Sequence, residues 1–264
     1  MRICVLGSGS KGNSTYIETE NSKILIDAGL SKCDLERRLS LLNINPYDID
    51  AILVTHEHSD HIKGVGQFAR KYKNKIYAHN QIWNILEDKL GDLSCSQQIE
   101  FNGNDFYIKD MVIQSFDVDH DSQHCVGFSV IENNKKFSIA TDLGHITPEI
   151  TQRLSDSEFI VLESNHDIEK LKNNPHYPPY LKNRVLSKYG HLSNDETAKT
   201  ITQLLGNNTR GIILAHLSEE NNTPELAIQT VRNELIKNQV TSKDEMYIDV
   251  AHQDHIGHIY KIKD

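Results

Sequence analysis

One short stretch, 51–66 (AILVTHEHSDHIKGVG), constrains this chain more than any other. Ile52 to Thr55 are apolar or β-branched and read as a short buried strand, and the polarity then changes at once. His56, His58, Asp60 and His61 follow within six residues, with Glu57 and Ser59 between them. Each of these imidazoles and the carboxylate would need a polar partner if buried, so the cluster is a poor way to build a core. It is a good way to hold a metal ion. If the chain stays extended past the strand, His56 and His58 project to the same side, and Asp60 and His61 point toward a second position. Imidazole and carboxylate donors suit Zn, Mn or Fe, and no thiolate is offered here.

The 264 residues are enough for a substantial core, and with no linker or repeat in view residues 1–264 are expected to form a single domain. No apolar run approaches the length of a membrane span, and MRICVLGSGS lacks the pattern of a signal peptide. Cys4, Cys33, Cys95 and Cys125 are scattered without a C-x-x-C pair, which argues against a disulfide framework and a zinc ribbon. A cytoplasmic protein with no membrane partner is expected. The net charge of −9 argues against bulk affinity for nucleic acid but says nothing about a local patch.

Along the chain, RICVL at 2–6 reads as a strand that enters a glycine–serine loop at 7–14. The segment after the loop, TYIET, alternates like another strand, so the loop is read as a hairpin connection and not as a dinucleotide site. KILID at 23–27 is a strand ending in Asp27, a candidate to hydrogen-bond a metal-binding histidine and fix its tautomer. A helix over 62–73, a strand at 75–78 and a helix at 82–90 give a βαβ rhythm. Residues 98–140 are strand-rich, and strand–helix alternation returns from 148, with helical stretches at 167–172 and 179–188. The profile predicts an α/β fold of two similar halves in a four-layer α/β/β/α sandwich.

Further ligands should come from other strand ends, because α/β sheets place their sites beyond strand C-termini. His120 follows SFDV, Asp142 follows FSIA, and His216 follows GIILA. The histidines at 252, 255 and 258 lie in a short tail and read as structural or exposed.

With these residues in hand the chain resembles the metallo-β-lactamase superfamily. T-H-E-H-S-D-H at 55–61 matches its H-x-H-x-D-H signature, and Asp27, His120, Asp142 and His216 match its other ordered motifs. The resemblance implies that His56, His58 and His120 bind one ion, that Asp60, His61 and His216 bind the other, and that Asp142 bridges them. S-G-S-K-G-N-S-T at 8–15, A-T-D-L-G-H-I-T at 140–147, E-S-N-H-D at 163–167, G-H-L-S-N at 190–194 and A-H-L-S-E-E-N-N at 215–222 are similar to the YycJ (WalJ)-like group, a bacterial branch related to tRNase Z and phosphodiesterase-type enzymes. That similarity implies a Mn-dependent 5′→3′ exonuclease acting on double-stranded DNA, with a part in mismatch repair. His191 takes the place of the accessory histidine of an H-S-T motif, with Leu192 in the middle position.

Two divalent ions can generate hydroxide near neutral pH and clamp the attacking and leaving oxygens of a phosphodiester. Asp60 and Asp142 would hold the ions and orient the water. His191 is the first candidate to protonate the leaving oxygen, and His166 the second. From Lys170 to Lys188 the chain carries five cations with no acid among them, and Lys182 and Arg184 are the expected contacts to a DNA backbone. Two other readings stand beside the nuclease. One is a hydrolase of cyclic phosphodiesters, esters or thioesters on the same site, and the other is a non-catalytic metal-binding regulatory protein.

Overall fold

The computed structural model describes residues 1–205, 208–239 and 246–262, which contain two seven-stranded sheets. The first sheet holds, side by side, β1 (Arg2–Gly7), β2 (Ser14–Glu18), β3 (Lys23–Ile26), β4 (Ala51–Leu53), β5 (Lys75–His79) and β6 (Gln98–Phe101). The second runs from β7 (Phe106–Ile108) through β8 (Met111–Val118), β9 (Cys125–Glu132), β10 (Lys135–Ala140), β11 (Phe159–Glu163) and β12 (Gly211–Ala215) to β13 (Tyr247–Val250). β14 (Tyr260–Lys261) comes back to pair with β1.

Each sheet changes character part-way across. β1, β2 and β3 are antiparallel and β3 to β6 parallel; β7 to β10 are antiparallel and β10 to β13 parallel. Parallel neighbours need long crossovers, and these carry the helices. The first half has α1 (Lys32–Leu41), α2 (Ser59–Ile62), α3 (Val65–Tyr72) and α4 (Trp83–Leu90). The second has α5 (Pro148–Leu154), α6 (Ile168–Asn173), α7 (Pro179–Val185), α8 (Asn194–Leu204) and α9 (Pro224–Lys237). Most begin where a short polar side chain can accept from a free amide of the first turn: Ser31, Thr147, Asp167, Ser193 and Thr223 all do so.

Strand alternation sorts the apolar residues into three cores. Ile24 and Ile26 of β3 face the seam between the sheets, where they join Phe128, Phe137, Val161 and Ile213. Leu25, between them, faces outward onto Leu35, Leu39 and Phe68 of the first helical layer. On the other side Ile212 and Leu214 pack under Ala198, Ile201 and Val231 of the second helical layer, while Ile213 points inward. The result is the expected α/β/β/α order of layers.

Two helical boundaries differ from the sequence reading. The helix expected over 62–73 is two helices, because the chain turns at Gly64, whose amide donates to the Ala28 carbonyl at 2.8 Å. The helix expected to reach 188 stops at Val185, whose carbonyl is taken by the amide of His191 at 3.0 Å as the chain doubles back. Among the described residues no helix is long and apolar enough to cross a membrane.

Candidate metal centre

The site lies beyond the C-terminal ends of the parallel strands of both sheets. Asp27 follows β3, His56 follows β4, Asp142 follows β10, Glu163 closes β11 and His216 follows β12. Three of these residues turn sharply out of their strands through a left-handed backbone, with φ of 60° at Asp27, 60° at Asp142 and 55° at His216. That conformation costs a non-glycine residue about 1–2 kcal/mol. It aims each side chain across the strand ends.

Four groups of donor atoms converge here, each with its atoms within 4.8 Å of one another. They are His56, His58 and His120; Asp60, His61 and His216; His56, His61 and Asp142; and Asp142, Glu163, His191 and His216. Asp142 stands between the first two, with Oδ2 at 3.2 Å from His61 Nε2 and Oδ1 at 3.8 Å from His120 Nε2 and 3.3 Å from His216 Nδ1. Asp60 and His61 lie on α2 and His58 just before it, so one short turn serves both groups.

Two buried carboxylates orient the imidazoles. Asp27 accepts from the Thr55 amide (2.9 Å), the Thr55 hydroxyl (2.9 Å) and His61 Nδ1 (2.8 Å). The Thr55 hydroxyl, its proton committed to Asp27, accepts in turn from His56 Nδ1 at 3.0 Å. Both rings therefore present Nε2 to the site. In the second sheet Glu163 Oε1 accepts from His191 Nδ1 (2.9 Å) and His216 Nδ1 (2.7 Å), and Oε2 from the amides of Leu143 and Leu192. The glycine–serine loop is a bracket for this assembly. The Asn13 amide donates to the Asp60 carbonyl at 2.7 Å, and Ser8 Oγ accepts from the His216 amide at 2.8 Å. Gly29 has no room for a Cβ, which would collide with the Asp60 carbonyl.

The donors fit a cation. His56 Nε2, His120 Nδ1 and Asp142 Oδ2 are buried without a hydrogen-bond partner, and such atoms cost about 1–3 kcal/mol each unless something satisfies them. Burial works against ionising Asp142, yet His216 and His61 hold its carboxyl well below the usual carboxylate range. Burial likewise works against a proton on His61, but Asp142 and Asp27 raise it to about 10. The acids thus demand positive charge at this position, which a metal ion supplies in place of a proton.

Of the residues expected from the sequence, His56, His58, Asp60, His61, His120, Asp142, His191 and His216 all stand in these groups. Arg184 lines the cleft that opens over them, a space of about 330 Å³. Lys182 does not: its ammonium donates to the Lys172 carbonyl at 2.6 Å. His166 is buried away from the cleft, and burial holds its imidazole down at about 4. His252 and His255 stack on each other at 4.2 Å and His258 bonds Asp249, all outside the four groups. Glu163 was missed by the sequence reading. Its signals were a carboxylate closing the apolar strand FIVLE and its place at the head of E-S-N-H-D, neither of which was read as a role.

A family model described as the beta-lactamase superfamily domain matches residues 22–216. The chain belongs to the metallo-β-lactamase superfamily. Within it, the chain is 42% identical over 237 residues to exodeoxyribonuclease WalJ of Streptococcus pneumoniae (strain D39), covering 89% of this chain and 88% of that protein. It is 38% identical over 232 residues to exodeoxyribonuclease YycJ of Bacillus anthracis, covering 88% of each. The metallo-β-lactamase fold protein YhfI of Bacillus subtilis superposes with a TM-score of 0.73 at 14% identity, over 98% of this chain and 99% of that one. This last likeness shows the superfamily fold alone. The strand-end histidines and aspartates of this member form clusters suited to metal ions.

Proposed function

We propose that the chain is a metal-dependent phosphodiester hydrolase, a cytoplasmic 5′→3′ exonuclease acting on double-stranded DNA with two divalent ions, Mn or Zn. The observation that carries this reading is the pair of donor groups, His56–His58–His120 and Asp60–His61–His216, with Asp142 between them. The exodeoxyribonuclease relatives support DNA as the substrate, and the proposal extends to a part in DNA repair, mismatch repair included.

Ions held there would supply an activated water and positive charge against the phosphoryl oxygens. The remaining work falls to side chains. Asp60 and Asp142 hold charge opposite the phosphoryl group and orient the attacking water. Attack on phosphorus breaks the bond to the 3′ oxygen, which must then take up a proton. His191 lines the cleft, and with Nδ1 committed to Glu163 it offers Nε2 to that oxygen. Arg184, on the cleft wall, fits a contact to a non-bridging phosphate oxygen, whereas Lys182 is left a flanking role at most.

The test is hydrolysis of 5′-labelled duplex DNA, with a bis-aryl phosphodiester in parallel, by protein stripped with chelator and reloaded with Mn or Zn. Metal-dependent release of nucleotides from the 5′ end, abolished in the Asp60→Ala/His61→Ala double variant, is the expected result. Hydrolysis of the small ester alone would make the chain a small-substrate phosphodiesterase. No hydrolysis of either substrate by the loaded protein would favour a regulatory role.

A further inference from the structure

We infer that a second, cationic groove on the outer side of α2 carries the backbone of the DNA strand away from the metal centre. The inference rests on the nuclease reading above and adds a binding surface to it.

The groove has a volume of about 410 Å³, and its lining includes Ser59, Ile62, Lys63, Gly66, Arg70 and Lys89. No carboxylate lines it. Arg70 donates to the Leu90 carbonyl and Lys89 to the Glu57 carbonyl, so two of its three cations are held in place by neutral partners. None of the three forms an ion pair with a described residue. In a chain of net charge −9 such uncompensated cations around one concavity are a departure that calls for an anion. Gly66 makes the concavity possible, because a Cβ there would strike the Leu90 carbonyl and hold α3 away from α4.

The basic segment expected to bind DNA contrasts with it. Arg184 is ion-paired with Asp121, Lys172 pairs with Glu169 at 3.3 Å, and Lys182 is spent on a backbone carbonyl. Two of that segment's cations thus face an acid, whereas none of the three around the groove does among the described residues.

The two concavities share a wall. Asp60 of α2 lines the metal cleft, while Ser59 and Ile62 of the same helix line the groove, and Lys63 follows directly. Four helical residues rise about 6 Å. Duplex DNA presents a phosphate every 3.4 Å or so along each strand. With only this short helix between the two concavities, a strand whose scissile phosphate sits at the metal centre needs to extend only a few nucleotides to reach the groove. Ammonium and guanidinium groups with no base edge to read suit contacts to phosphate irrespective of sequence.

Binding of a phosphorothioate-linked duplex that resists hydrolysis, measured by anisotropy from about 50 to 300 mM salt on the metal-loaded protein, tests this. Each phosphate contact removed lowers the slope of log K against log salt by about 0.9. Lys63→Gln should lower it by one such step and Lys63→Gln/Arg70→Gln by two, with affinity at 0.1 M salt falling roughly 10- to 100-fold. Arg70→Lys, which keeps the charge and changes the bond to Leu90, should keep the slope. Hydrolysis of the bis-aryl phosphodiester should be unchanged in all three. An unchanged slope in the double variant would overturn the groove's role while leaving the nuclease reading intact, and so would equal losses on duplex and small ester. Cleavage of the small ester with no duplex binding by the wild-type chain would overturn both.

Discussion

Glu163 and His216 are joined by a 2.7 Å hydrogen bond from Nδ1 to Oε1, and the same oxygen holds Nδ1 of His191. One buried carboxylate thus fixes both a candidate metal ligand and the candidate proton donor. Burial alone would raise its carboxyl, but the charge of His191 and the hydrogen bonds from both rings hold it down at about 2.

Glu163→Gln keeps the shape, but all four partners of the carboxylate are donors, so its NH2 group must face either the two imidazole Nδ1 atoms or the two backbone amides. Loss of such orienting partners typically costs 10- to 100-fold in metal affinity or activity. A drop of that size in kcat on the bis-aryl phosphodiester is expected, with KM little changed. Glu163→Ala strands both buried amides, of Leu143 and Leu192, at roughly 1–3 kcal/mol each, so its thermal midpoint should fall further than that of the glutamine variant.

Asp27→Asn tests the other carboxylate. The amide can still accept from the Thr55 backbone N–H, but its NH2 faces His61 Nδ1 and favours the tautomer with the proton on Nε2. His61 then cannot donate Nε2 to an ion. Metal analysis should find one ion lost per chain, together with the activity. Retention of both ions would mean that Asp27 serves packing only.

Removing metal should destabilise the fold, because the donors are assembled only in the native state. An ion at about 100 times its Kd adds about 2.7 kcal/mol. For a chain of this size the melting temperature should rise by roughly 5–10 °C for each ion bound on loading the stripped protein. The Asp60→Ala/His61→Ala variant should show a much smaller rise.

Gly29→Ala places a methyl group against the Asp60 carbonyl, so α2 must shift. Overpacking of this kind costs about 1–3 kcal/mol. The expected signature is a lower melting temperature together with weakened metal binding, since Asp60 and His61 move with the helix.

Much of this was legible in the sequence because strand ends leave a local mark. VTHEHSDH, SIATD and IILAH each couple an apolar run to a donor within one or two residues, and all of these donors converge. The four layers followed from the alternation in residues such as Ile24, Leu25 and Ile26. What was not legible depends on partners far away in the chain. Glu163 gains its role from His191 and His216, 28 and 53 residues later. That Arg184 of the segment Lys170–Lys188 is paired with an acid was not legible either, because Asp121 lies on the loop after β8, 63 residues earlier. Lys63, Arg70 and Lys89 are spread over three elements and form a patch only once α3 meets α4.

The left-handed backbone at Asp27, Asp142 and His216 has a consequence for how this site can evolve. Asparagine, aspartate and histidine are the non-glycine residues most often found there, and glycine adopts it freely. The residue types that suit the metal chemistry are therefore also those the chain's geometry tolerates. Single-base changes from an aspartate codon reach asparagine, histidine and glycine, and from a histidine codon reach aspartate and asparagine. Drift at these three positions can thus exchange one donor for another, or lose it, while the strand still ends in the same turn. Valine, an equally short mutational step, would lose the turn and the ligand together at position 142, and the turn and the carboxylate that orients His61 at position 27.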